Sequence, residues 1–142
     1  MVGLNISRNT SGRTFGNFHD SRPQGQDYKI RYAFRNTEYY GAYMTDIIKD
    51  FEQLISGKVT SYLKEHPDCE AHNVRSFETE LDDLGGSNPL IIAFGSDIYT
   101  ILNRNLKDKY RIIQVTHYSH YISKEDYRNA VLARLDIAGR AA

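Results

Sequence analysis

With one cysteine, Cys69, the chain can form no internal disulfide, and a small fold stapled by bridges is excluded. It also lacks any apolar run near the roughly 18 residues that a membrane-spanning helix needs. No charged-then-apolar leader stands before its first polar motif. These absences give the expectation of a water-soluble protein of the reducing cytoplasm with no membrane partner. Net charge is missing too, because 18 Lys and Arg balance 18 Asp and Glu. Affinity for nucleic acid comes largely from neutralising phosphates, so overall neutrality offers no sign of such a partner. There is no serine-hydrolase elbow, Walker loop, dinucleotide Gly-x-Gly-x-x-Gly or His-Glu-x-x-His pair, which leaves acyl transfer, nucleotide hydrolysis and zinc proteolysis without a sequence handle.

What is present suits a globular chain. A length of 142 residues and a hydrophobic fraction of 40% suffice for one core, so a single domain over residues 1–142 is expected. The charge is unevenly spread. Residues 1–35 hold Arg8, Arg13, Arg22, Lys29, Arg31 and Arg35 against only Asp20 and Asp27. That basic end fits either ordinary solvated charge or contact with phosphate.

The apolar pattern predicts an α/β fold. Met1-Val2 is the only apolar run before Gly3, so the first strand reads as cut short. Residues 8–26, rich in Ser, Asn, Gly, Arg and Pro, read as a long loop carrying Phe15 and Phe18. A short basic helix is expected over Tyr28 to Arg35, and a strand end around Thr45 and Asp46 between Tyr43-Met44 and Ile47-Ile48. Helices follow at Ser56 to Glu65 and at Val74 to Leu84, where Val74, Phe77, Leu81 and Leu84 recur on one face until Gly85-Gly86. Leu90 to Phe94 is a continuous apolar run, as a strand covered on both faces requires. Ser96 is positioned to cap a helix bearing Ile98, Ile101, Leu102 and Leu106, and Ile112 to Val115 supplies another strand. Ser123 to Asp126 resembles a capping box before a helix with Tyr127, Val131 and Leu135 on its apolar side. The sum is a three-layer α-β-α arrangement with a central, mainly parallel four-stranded sheet.

In such sheets ligands bind beyond the carboxyl ends of the strands. Three polar clusters are expected there: Asn5 with Ser7, Thr45 with Asp46, and His117 with Ser119. Taken singly, Asn5 reads as a turn residue and His117 as a structural histidine; their joint placement points to a site. His66, Cys69 and His72 have metal-like spacing, but a single cysteine on a hydrophilic stretch broken by Pro67 favours a solvated helix or turn, and no metal is expected.

Gly3-Leu4-Asn5-Ile6-Ser7 resembles the first signature of the mismatch-specific branch of the uracil-DNA glycosylase superfamily, Gly-x-Asn-Pro-Gly or -Ser, and His117-Tyr118-Ser119 resembles the second, His-Pro-Ser. Leu90 to Gly95 and Tyr43 to Lys49 are similar to two of that superfamily's strands, in matching order. The resemblance implies an enzyme that acts on DNA containing a damaged or mismatched base. The base is flipped into a pocket and its N-glycosidic bond hydrolysed without a cofactor. It casts Asn5 as holder of the attacking water and His117 as hydrogen-bond donor to the base oxygen where negative charge builds. Ser7 and Asp46 join the substrate contacts, Ser119 contacts phosphate, and Phe15 or Phe18 either stacks on the extruded base or packs in the core.

Two positions depart from the pattern. Ile6 and Tyr118 stand where a proline often stiffens each signature. Asp46 stands where several uracil readers have asparagine, and an ionised carboxylate only accepts, so it suits a base presenting two donors or is structural. These departures keep two other functions open: a nucleotide- or nucleic-acid-binding protein of the same fold without catalysis, and a small-molecule enzyme on the same scaffold.

Overall fold

A computed structural model describes residues 1–5, 26–48, 56–85 and 88–140. Four strands, β1 (Val2–Asn5), β2 (Thr45–Ile48), β3 (Leu90–Phe94) and β4 (Arg111–Val115), form one sheet in the order β2-β1-β3-β4. Every pair in it is parallel. Five helices join or follow them: α1 (Tyr28–Phe34), α2 (Ser56–Glu65), α3 (Pro67–Asp83), α4 (Ser96–Leu106) and α5 (Lys124–Arg140). The expected α/β architecture is therefore observed, with a first strand of only 4 residues. No helix among the described residues is long and apolar enough to cross a membrane.

Strand β3 shows why there are three layers. Side chains alternate across a strand, and every residue from Ile91 to Phe94 is buried, so both faces must be covered. Ile91 and Ala93 share one core with Val59 and Leu63 of α2, Val74, Phe77 and Leu81 of α3, and Ile98, Ile101, Leu102 and Leu106 of α4. Ile92 and Phe94 meet Ile30, Ala33 and Phe34 of α1 and Tyr127, Val131 and Leu135 of α5. The apolar stripes read from the sequence for α3, α4 and α5 fall within these two sets. Leu84 is the exception: it occupies the C-cap of α3 and is 50% exposed. Gly85, at φ 74°, takes the left-handed turn that ends the helix, and its N–H reaches the Asp82 carbonyl.

Three further boundaries differ from expectation. Helix α3 starts at Pro67, seven residues before Val74, because a proline in the first turn costs no hydrogen bond and supplies a helical φ. Ser96 is the first residue of α4 and does not cap it; Gly95 holds the cap position with φ 97°. Thr45 and Asp46 lie in the first half of β2, not at its carboxyl end. Ile47 and Ile48, read as flanking residues, continue the strand into the core. The Ser123 cap does form, its Oγ accepting the Asp126 N–H at 3.0 Å.

The strand order reverses between β1 and β3. From β1 the chain passes through α1 on one face to β2, whereas from β3 it passes through α4 on the other face to β4. The carboxyl edge between β1 and β3 is thus a topological switch point, the place where open α/β sheets bind ligands.

Candidate functional site at the carboxyl edge of the sheet

Register fixes which residues reach this edge together. Val2 pairs with Ala93, and Ala93 with Gln114, making one row across β1, β3 and β4. Three residues further along each chain stand Asn5, Ser96 and His117. Adjacent strands are about 4.8 Å apart, so β1 and β4, with β3 between them, are separated by roughly 10 Å. That distance is comparable to a nucleoside.

The segment after β4 is held at many points. Gly95 N–H donates to the Val115 carbonyl at 2.8 Å, continuing the ladder past the end of β3. A side chain at Gly95 would meet His117, whose Cβ lies 3.5 Å from the place a Cβ would take, and the φ of 97° strains any residue other than glycine. The fully buried Tyr127 donates its hydroxyl to the Thr116 carbonyl at 2.8 Å, and burial pushes its phenol well above the usual range. His120 N–H returns to the His117 carbonyl at 3.0 Å. Lys29, only 2% exposed on the first turn of α1, donates its ammonium to the His120 carbonyl at 2.9 Å. This member of the basic end, read as either solvated charge or phosphate contact, is thus buried and ties α1 to the loop that carries His117.

The protonation of His117 follows from its neighbours. The Ser119 backbone N–H, 3.0 Å from Nδ1, can only donate, so Nδ1 must carry a lone pair. Ser119 Oγ, 2.8 Å from the same nitrogen, then donates its proton as well. The neutral ring therefore has its proton on Nε2. Burial lowers the His117 pKa, and both Ser119 bonds oppose a proton at Nδ1, so the imidazole stays neutral at pH 7. Tyr118 stacks on it with centroids 4.3 Å apart and meets Phe94 edge-on at 5.5 Å. A flat aromatic clamp thus occupies the position where the signature often has proline.

The remaining candidates divide. Asp46 is buried and pairs with Gly3, two residues before Asn5 pairs with Ile48, so it lies below the edge, inside the sheet. Thr45, also buried, has Oγ1 at 2.9 and 3.0 Å from the two carboxylate oxygens of Glu80 on α3. Asn5 is described as backbone alone, within β1. Ser7, Phe15 and Phe18 lie outside the described residues. Sequence reasoning passed over Lys29 as a loop tie and Tyr121, which is fully exposed in the same loop as His117. An aromatic in a polar segment four residues past a candidate histidine was the signal available for the latter.

At the other end of α2, His66 Nδ1 is 2.9 Å from the Tyr62 carbonyl and its ring stacks on Tyr62. Among the described residues no three His, Cys, Asp or Glu side chains gather as a metal site. Set against protein-family models, curated proteins and solved structures, the chain matches none of them.

Proposed function

We propose that this protein is a DNA base-excision glycosylase that hydrolyses the N-glycosidic bond of a flipped uracil or other damaged or mismatched base. The observation that carries the reading is the neutral His117, held by Ser119 with its proton on Nε2, three residues past the row that also leads to Asn5. The four-stranded parallel sheet with its switch point between β1 and β3 supports it, since the resemblance implies that architecture.

The chemistry asks for little more. As the bond from the sugar carbon to the base breaks, its electron pair leaves with the base and spreads onto a carbonyl oxygen of that base. A fixed Nε2–H stabilises that charge without giving up its proton, and a neutral imidazole donates without first having to lose a counter-ion. Water then attacks the sugar carbon, and the proton it sheds ends on the departed base anion, so the products are an abasic sugar and a neutral base. In this reading the Asn5 amide holds that water: an amide orients water but is too weak a base to ionise it, and a dissociative departure needs only orientation. Ser119 acts through His117, since both its donors are turned to Nδ1. Phe15 or Phe18 covers the extruded base. Tyr121, fully exposed, offers an aromatic face to the stack that the base has left.

The test is a strand-cleavage assay. Oligonucleotides carrying uracil, hypoxanthine or xanthine, single- and double-stranded, are incubated with the protein and treated with alkali to break abasic sites. One lesion should yield cleavage that is lost in Asn5→Ala and His117→Ala. Activity unchanged in both variants would remove the assigned roles. A second reading, a nucleotide- or nucleic-acid-binding protein without catalysis, is favoured by Asp46 lying inside the sheet, where it offers the carboxyl edge no base-reading group. Binding of DNA with no base released from any lesion would select it.

A further inference from the structure

The half-buried ring of Tyr32 on α1 is surrounded by three cations: Lys124 Nζ at 5.0 Å from its centroid, the Arg35 guanidinium at 5.1 Å and that of Arg128 at 6.0 Å. They come from two elements, since Arg35 is the C-cap of α1 while Lys124 and Arg128 lie four residues apart on α5. Among the described residues no carboxylate is ion-paired with any of the three, whereas Arg31, Arg104 and Lys109 each have one. Of the carboxylates nearest in sequence, two face elsewhere on α5 and one is engaged. Glu125 and Asp126 stand about 100° and 200° round the helix from Lys124, while Arg128 returns to within about 40° of it. Asp27 holds Arg31 at 3.0 Å, and Glu38 lies three residues beyond Arg35 in the turns after α1.

Like charges four residues apart on one helix face oppose each other. Here a third cation joins them from another helix. Arg128 is also fixed in place, since its Nη1 donates to the carbonyls of Tyr32 at 2.7 Å, Ala33 at 3.0 Å and Arg35 at 2.9 Å. Those bonds use one nitrogen of the fork and leave the other donors of the guanidinium in a set direction. Lys124 and Arg35 are exposed. A rigid guanidinium flanked by two exposed cations, with an aromatic ring between them, is an arrangement that complements a chain of phosphates.

The patch also joins the candidate site. Lys124 directly follows the segment that runs from His117 to Ser123, and Tyr127, one turn on, anchors Thr116 at the start of that segment. We infer that Arg35, Lys124 and Arg128 form a phosphate-binding ridge on which the backbone of a nucleic acid lies as it approaches the carboxyl edge. This extends the function proposed above and uses residues from both ends of the chain, where the sequence alone pointed only to the basic first segment.

The experiment measures binding of a fluorescent, undamaged 20-base-pair duplex by polarisation at several salt concentrations, for the full chain and for the doubly substituted Arg35→Ala, Lys124→Ala protein. Both side chains are exposed, so the fold should persist, and circular dichroism checks that it does. Losing two phosphate contacts should reduce the slope of log affinity against log salt by about 1.8, which is roughly 60-fold weaker binding at 0.1 M salt if affinities at 1 M coincide. An unchanged slope, or no binding by the parent protein at low salt, overturns the inference. Base release decides the other question separately. A parent that releases a base while the slope is unchanged keeps the glycosylase and loses the ridge. A parent that releases none but shows the slope change keeps the ridge and loses the glycosylase.

Discussion

The two helical layers use their polar side chains differently. In the layer of α2, α3 and α4, polar contacts join one structural element to another. Glu70 on α3 meets Arg104 and Asn105 on α4, Glu78 meets Lys109, and Glu80 meets Thr45 of β2. In the layer of α1 and α5, long side chains reach backbone carbonyls instead: Lys29 that of His120, Tyr127 that of Thr116, and Arg128 those at the end of α1. A helix-to-helix ion pair only adds stability. A side chain that fixes a loop carbonyl sets the geometry of whatever that loop carries. The difference makes the α1 and α5 side the one that shapes the His117 loop, and substitutions on the two sides should behave differently.

The largest effect should come from the loop's cargo. On the proposed function His117 is a preorganised donor of oxyanion type, whose removal lowers rate about 100- to 1,000-fold, so His117→Ala should reduce base release by that factor. His117 is only half-buried at the edge of the fold, so the variant should melt close to the parent. A melting temperature that falls with activity would make His117 structural and erase the contrast between the layers.

A matched pair of substitutions sharpens that contrast. Lys29→Met breaks the tie from α1 to the loop but leaves the His120 carbonyl with the Ile122 N–H at 2.9 Å, so no buried acceptor is stranded. The expected result is about a tenfold lower kcat, some 1.4 kcal/mol in the barrier, with KM and melting little changed. Arg104→Ala in the other layer should do the reverse: its side chain is 51% exposed, so the ion pair with Glu70 contributes at most about 1 kcal/mol, and kcat should not move. Equal effects on kcat from both variants would show that the layers are not specialised. Tyr127→Phe should fall between them. It leaves the Thr116 carbonyl without its hydroxyl partner, destabilising the fold by about 1–2 kcal/mol with a modest loss of rate, measurable by denaturant titration beside the cleavage assay.

The second half of the chain was the more legible in sequence. Pro89 to Val115 reads as strand, helix and strand because its apolar runs are bounded by Gly95 and its helix shows one apolar stripe, and the structure follows that reading nearly residue by residue. Around Asp46 the pattern misled. A buried acid within an apolar run resembles a functional group at a strand end, and only the pairing of Gly3 with Asp46 shows that the strand begins just before it. The roles of Lys29 and Arg128 were invisible for a different reason. Each acts on carbonyls more than 90 residues away in sequence, and a carbonyl has no letter in the sequence. The charge of Lys29 was legible; its burial, which turns a surface cation into a loop tie, depends on tertiary packing.

The smallest and most specific effect concerns the proton on His117. In the folded chain its pKa lies below the ordinary 6.5 because even partial burial disfavours the charged ring. Between the two values the unfolded chain binds more protons than the folded one, so stability rises with pH across that window. The contribution is fully present above about pH 6.5 and is lost as pH falls through the folded value. Base release should follow the same limb, since protonation at Nδ1 ends its acceptance of the Ser119 N–H and hydroxyl. Ser119→Ala removes the hydroxyl but keeps the backbone N–H. One of the two bonds opposing protonation is then gone, so the His117 pKa should rise toward 6.5 and the acid limb of activity should shift to higher pH with it. An imidazole titration by NMR, beside the pH profile of base release, reads both. A Ser119→Ala protein in which His117 titrates unchanged would mean that burial alone sets its proton, and the serine would lose its place as the residue that orients the ring.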